Sequence, residues 1–309
     1  MARKLLFSFY FCLTLIIFQV STASAEDIVL RGADTALSDF PVDVLQRPPS
    51  GLDQAAYDEW LKTRPALVLD GATLRLGRPG AAVSLSIQAS RVELRHAQII
   101  TYGAELHINA LQIASDGGTI RAFDSAASLP PETRNGVPGQ TGYGGGRVIL
   151  RGALSRDSRL DVQLDGQDGG QGGPGRTGQQ GAPGAPGDHA ADHAFDCAHG
   201  GGAGSRGEKG QRGEAGASGG NGGDGGTLIL QGKIALQVSQ ISVSYRPGAP
   251  GAGGLGGSGG PGGPGGPGGG GSTYCRGGPP GPSGPPGDFG PPGGPGTPGR
   301  PGQIIATSE

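Results

Sequence analysis

Past its first 25 residues, the 309-residue sequence has no apolar run long enough to cross a membrane. It has little excess charge, 24 Lys and Arg against 26 Asp and Glu. These charges are scattered, and no basic stripe follows a phosphate backbone, so nucleic acid is not an expected partner. Cysteine is scarce, with Cys12, Cys197 and Cys275 the whole complement. The second half is also short of large apolar side chains, so it cannot bury an ordinary core.

The first residues carry what the rest lacks. Arg3 and Lys4 form a positive start, Leu5–Val20 an apolar stretch, and Ala23-Ser24-Ala25 a small-residue cleavage site. A secretory signal over 1–25 is expected, with a mature chain from Glu26 that is secreted, extracellular or in the cell envelope. Cleavage removes Cys12, and an exported chain with two remaining cysteines is expected to join them.

Glycine is abundant and unevenly placed: only 15 of the 67 precede residue 166. The region 26–65 reads as a short strand, a linker and one short helix in "GLDQAAYDEWLKTRP". The helix is expected to cap one end of the adjoining β region, with Leu52, Ala56, Trp60 and Leu61 on its apolar side. Region 66–165 consists of short alternating runs such as "ALVLDG", "VSLSIQ", "RVELRH" and "ELHINALQI", the pattern of half-buried strands. A β-solenoid or a sandwich fits this spacing. "GGTIRAF" (117–123), "GGRVILRG" (145–152) and "GGTLILQG" (225–232) read as one motif written three times, which favours stacked coils. Alternation makes Ile149 a buried position. A further β-repeat is expected at 227–247 and a last strand or tail at 303–309.

Between these pieces lie four tracts with glycine at every third position: 166–187, 201–225, 248–269 and 278–302. That spacing matches polyproline II, which has three residues per turn, and puts all the glycines on one face. The tracts come in pairs of nearly equal length. At roughly 3.1 Å per residue each spans about 75 Å, so the second of a pair returns the chain to the next β-repeat. Regions 166–226 and 248–302 are therefore expected to be two long hairpins lying side by side, with tips at 188–200 and 270–277. The alternatives are a trimeric collagen helix or disordered arms. The third tract, largely Gly-X-Gly, is expected to be the most enclosed. Side-by-side hairpins would also bring Cys197 and Cys275 together at the tips, whereas a trimer would favour bonds between chains.

"GEKGQRGEAG" and "GPPGPSGPPGDFGPPG" resemble the Gly-X-Y repeats of bacterial collagen-like secreted proteins. The "GGTI…GGRVIL…GGTLIL" series resembles glycine-rich β-helical surface proteins. Neither resemblance is specific to an activity; the first implies a structural or adhesive role and nothing more.

Chemistry-bearing residues concentrate at the first tip. On a short helix capped by Asp188, His189 and His193 would share a face, and Asp192 or His199 could complete a divalent-metal site. A polar, solvated loop with no ligand is the plainer reading, and a tip that contacts a sugar or a protein is a third. The "GGSGG" at 256–260 matches a hydrolase motif by composition alone, since no strand–helix elbow surrounds it. Asp70, Glu93, Glu105, Asp116 and Asp124, with His96 and His107, read as turn, edge or surface residues. The expected function is a non-enzymatic, collagen-like structural or adhesion protein without a cofactor. Its expected partner is a cell-surface or matrix protein or polysaccharide, and self-association up to a trimer is allowed. The alternative is a carbohydrate-active β-helix enzyme, which would need three or more carboxylates converging on one strand face.

Overall fold

A computed structural model describes residues 27–32, 35–36, 45–81, 83–124, 129 and 131–308. The expected signal segment, 1–25, lies outside the described residues. No described helix is long and apolar enough to cross a membrane.

The chain is mainly β. In order it forms β1 (Asp27–Arg31), β2 (Thr35–Ala36), α1 (Gln54–Lys62), β3 (Ala66–Asp70), β4 (Thr73–Arg75), β5 (Ser84–Arg95), β6 (Gln98–Ile100), β7 (Glu105–Asp116), β8 (Thr119–Arg121), β9 (Arg147–Arg151) and β10 (Leu160–Gln163). Next come β11 (Ala191–Asp192), β12 (Cys197–His199), β13 (Thr227–Gln231), β14 (Ile241–Ser244) and β15 (Gln303–Thr307). Apart from the β11–β12 hairpin, successive strands alternate between two parallel sheets. One sheet has seven strands, ordered β1-β3-β5-β7-β9-β13-β15. The other has six, ordered β14-β10-β8-β6-β4-β2.

Local chemistry explains the alternation. Every turn from the seven-stranded to the six-stranded sheet passes through a residue with positive φ: Gly32, Gly71, His96, Gly117, Gly152 and Gly232. Five are glycine, which adopts this region without a Cβ clash; His96, at φ 47, is the exception. The strands show inside–outside alternation because only one face of each sheet meets the other. The buried cluster between the sheets runs in rungs. Leu85, Leu106, Val148 and Leu228 form one, and Leu74, Ile99, Ile120 and Val162 another. Each fully buried Leu or Ile contributes about 1.5–3 kcal/mol of transfer free energy.

Several expectations need correction. "VSLSIQ" and "RVELRH" are halves of one strand, β5. "GGRVILRG" and "GGTLILQG" are equivalent, with Arg147 opposite Thr227, and the stretches after them also align, with Leu160 opposite Ile241. "GGTIRAF" belongs elsewhere: its strand, β8, lies in the six-stranded sheet beside β10. Ile149 is buried, at 8% exposure, yet it stays out of the core cluster that holds Val148 and Leu150. It therefore lies on the opposite face of β9. Helix α1 is capped by Asp53, whose Oδ1 accepts from Ala56 N at 2.8 Å. It lies across β5 and β7 rather than capping an end. Its buried residues are Tyr57 and Leu61. The Tyr57 hydroxyl donates to Gln88 Oε1 at 2.5 Å, and the Arg151 guanidinium sits 4.1 Å from the Tyr57 ring centre.

The glycine tracts pair along their whole lengths within the chain. The third donates to the second from Gly248 N→Gly223 O to Gly269 N→Gly202 O. The fourth donates to the third from Gly278 N→Gly269 O to Gly299 N→Gly248 O. The first donates to the third from Gly166 N→Arg246 O to Gly187 N→Pro267 O, and the second donates to the fourth from Gly201 N→Arg276 O to Gly225 N→Arg300 O. Only glycine permits this approach. A Cβ built on Gly254 would lie 1.9 Å from Gly173 O, and one on Gly253 2.0 Å from Gly293 O. The third tract thus presents two bare faces to its neighbours and exposes only every third residue, and it is the most enclosed of the four. A shorter tract, with Gly136, Gly139, Gly142 and Gly145 at the same spacing, lies on the second: Gly139 N→Ser218 O, Gly142 N→Asn221 O and Gly145 N→Asp224 O, at 2.8–2.9 Å.

Candidate functional site at the paired turns

Glycine at every third position makes register degenerate. Sliding one tract by three residues puts every glycine against an equivalent backbone. Register must therefore be set by side chains, and the structure shows which ones; besides mid-tract contacts such as Lys209 Nζ to Asp288 Oδ2 at 2.6 Å, they gather at the two ends. Near the sheets, Asp165 Oδ1 accepts from Arg246 N at 2.6 Å and Asp168 Oδ1 from Ala249 N at 2.6 Å. At the turns, His189 Nδ1 accepts from Gly270 N at 3.2 Å and Asp192 Oδ2 from Thr273 N at 3.0 Å. All four pairs are 81 residues apart, the separation that also relates Leu160 to Ile241 in β10 and β14. On the returning side, Asn221 and Asp224 accept from Thr297 N and Arg300 N, 76 residues on, and β13 and β15 keep that register in Thr227↔Gln303. One register therefore runs from each sheet into its tracts, and in the outgoing pair it reaches the turns.

Residues 188–200 form the antiparallel hairpin β11–β12, not a helix. The i, i+4 face expected for His189 and His193 consequently does not arise. The Asp192 carboxylate is committed to the other turn: it accepts from Ser272 Oγ, Thr273 N and Tyr274 N. His189 Nδ1 is likewise occupied by Gly270 N, and His199 Nδ1 lies 3.3 Å from the Gly200 carbonyl. The structure does not bring His189, Asp192, His193 and His199 together as ligands. Among the described residues, no group of three or more His, Cys, Asp or Glu is placed to hold a metal ion.

Cys197 and Cys275 form a disulfide between the two turns, with Cα atoms 4.9 Å apart. Ser272 Oγ also accepts from Cys275 N, and Ser272 N donates to Cys275 O at 3.0 Å, which closes the second turn tightly. Two aromatic side chains project from this stapled platform, Phe195 at 87% exposure and Tyr274 at 50%. His193 and Arg276 stand exposed as well. A rigid backbone carrying exposed aromatic, imidazole and guanidinium groups is suited to contact with a partner surface. Composition did not single out Phe195 and Tyr274. The available signal was that two aromatic residues stand in turns between tracts that otherwise hold almost none.

Most of the remaining titratable candidates are engaged locally. Asp70 pairs with Arg31 at 3.3 Å, Glu93 with Arg95 at 2.7 Å, and Glu105 with His107 at 2.8 Å. Asp116 is an exposed strand end, and His96 occupies a sheet-to-sheet turn. Asp124 accepts from Arg75 at 2.6 Å and from the Tyr102 hydroxyl at 2.9 Å. Partial burial pushes the Asp124 carboxyl up, but these two donors outweigh it and hold the group below the ordinary carboxylate range. Asp70, Glu93 and Asp116 do share the outward face of the seven-stranded sheet, but they surround Arg95, which lies opposite Asp70 and Asp116 in the ladder and pairs with Glu93.

No protein-family model, curated protein or solved structure matches this chain.

Proposed function

We propose that this is a secreted or cell-surface, collagen-like structural or adhesion protein. In this reading the two parallel sheets are the walls of a β-solenoid base. The glycine tracts are polyproline II arms that hold the 188–200 and 270–277 turns away from that base. The 1–25 signal directs export and is then cleaved, and the oxidising surroundings allow the Cys197–Cys275 bond.

The observation that carries the reading is the division of labour along the tracts. Their glycine faces are spent on one another through backbone hydrogen bonds. Tyr274 and Phe195, by contrast, are free at the stapled turns. A bundle whose interior is backbone has no room for a cofactor or substrate; it is a spacer with a rigid end. The partner is a cell-surface or matrix component met by that end.

Beads coated with the mature protein test this against immobilised matrix proteins and polysaccharides. Adhesion that is lost in a Phe195→Ser/Tyr274→Ser variant with unchanged thermal unfolding is the expected result. Adhesion that ignores the double substitution, or no adhesion to any surface, overturns the reading.

A further inference from the structure

The two sheets do not end level. At one end the seven-stranded sheet closes with β15 and the six-stranded sheet with β14, and no described strand lies beside β14 to match β15. In a parallel pair, successive peptide groups point alternately to the two sides of the strand. The Ser244 carbonyl accepts from Leu164 N at 2.7 Å, on the β10 side. The Tyr245 carbonyl accepts from Gly302 N at 3.0 Å, on the other side. Alternation therefore turns the backbone groups of Ile241 and Val243 toward the free edge.

A groove of about 660 Å³ opens on the outward face of β10 and β14 beside that edge, lined by Asp161, Gln163, Ser242, Val243, Tyr245 and Pro301 among others. Leu236, Val238 and Ile305 are exposed at the same end of the sheets. The rungs that lead into it specify what would come next. The inward rung runs Leu74, Ile99, Ile120, Val162 and Val243, all apolar. The outward rung runs Thr73, Gln98, Thr119, Asp161 and Ser242, all polar. The groove also holds two carboxylates, Asp161 and Asp165, against the single guanidinium of Arg246.

We propose that β14 accepts an extended peptide strand from another protein by edge addition. The peptide would place apolar side chains inward at alternate positions and a Lys or Arg outward, toward Asp161. The backbone edge demands a strand, the inward rung an apolar one, and the carboxylate excess a cationic one. A second copy stacked end to end fits less well. It would present β1 and β2 as a level pair, and the one-strand offset would remain. This site is separate from the turns and does not depend on them.

The probe is a fluorescently labelled, capped peptide of residues 158–165 of this chain carrying Asp161→Lys, since those residues form the neighbouring strand of the same sheet. Saturable one-to-one binding to the mature protein is expected. N-methylation of the peptide at positions 161 and 163 removes edge donors and should weaken binding by about tenfold. Asp161→Lys in the protein should weaken the lysine peptide several-fold and strengthen its aspartate counterpart. Absence of saturable binding at millimolar peptide overturns the proposal, as does binding indifferent to N-methylation or to the charge exchange. A dimer of the mature chain that competes with the peptide would assign the edge to a second copy and overturn the assigned partner.

Discussion

Two glycines separate packing within one chain from a three-chain collagen helix. Gly256 and Gly294 both lie outside the every-third series of their tracts, so a triple helix would treat them alike, as outward-facing positions. In this structure they differ completely. A Cβ built on Gly256 would lie 1.9 Å from the Gly290 carbonyl oxygen and 2.4 Å from its carbon, whereas one on Gly294 meets nothing within 4 Å. Gly256→Ala must therefore push the third and fourth tracts apart by about 1 Å or more, since Cβ contacts below 3.0 Å are essentially never seen. The bonds lost first are those flanking the contact, Gly290 N→Gly257 O and Gly293 N→Gly254 O, both 2.8 Å, with Gly175 N→Leu255 O at 2.8 Å next in line. At about 0.5–1.5 kcal/mol net for each, the expected loss is about 2–4 kcal/mol. Gly294→Ala should instead be neutral or stabilising by about 0.5 kcal/mol, because it reduces the freedom of the unfolded chain. Urea unfolding gives the magnitudes. Trypsin gives the location: Arg212, whose Nε donates to Phe289 O at 3.0 Å, should become cleavable in Gly256→Ala alone. Equal behaviour of the two variants would refute the packing described.

The remaining predictions concern the sheets. Leu150→Ala should cost about 2–5 kcal/mol because Leu150 lies in the inter-sheet cluster. Ile149→Ala, on the opposite face, should cost clearly less; thermal unfolding of the pair reads out the register of β9. His96→Gly should be neutral or stabilising by up to about 1 kcal/mol, because φ 47 strains any residue with a Cβ. Gly117→Ala at the equivalent turn should destabilise, since φ is +65 and the new Cβ would lie 3.2 Å from His96 Cδ2. The depressed Asp124 carboxyl makes a pH-dependent contribution. It is fully present above the ordinary value of 3.8 and is lost as pH falls through the lower folded value. Asp124→Asn should therefore flatten the acid limb of the stability curve measured by urea titration, with no matching change at higher pH.

The sequence makes some of this legible because glycine periodicity is a local signal with a geometric meaning. Equal tract lengths imply a return path, and the 80-residue spacing of Arg147 and Thr227 is the register found in the sheets. What stayed hidden depends on contacts distant in sequence. The two glycines of "GGTIRAF" mark a turn between sheets, Gly117 with its positive φ and Gly118, whereas those of the two true copies end a tract at Gly145 and Gly225. The letters match, but the backbone roles do not. Gly136–Gly145 carries no distinctive signal, because four glycines in a polar linker match an ordinary loop, and only the backbone bonds to the second tract mark them as a tract. The His spacing in the first turn suits a short helix as well as a solvated loop, so the sequence leaves the backbone form of that turn open. Its actual form is dictated by the Asp192 carboxylate capping a turn some 80 residues away.

The central claim is that the tracts pair within one chain from the sheets to the turns. Non-reducing peptide mapping of the oxidised mature protein, together with its sedimentation velocity, tests this most directly. Full tryptic digestion after denaturation should release residues 177–206 and 234–276 as one cross-linked species carrying the Cys197–Cys275 bond, from material that sediments as a monomer. Free thiols, or cysteines joined only to their own copies in disulfide-linked trimers, would contradict the account.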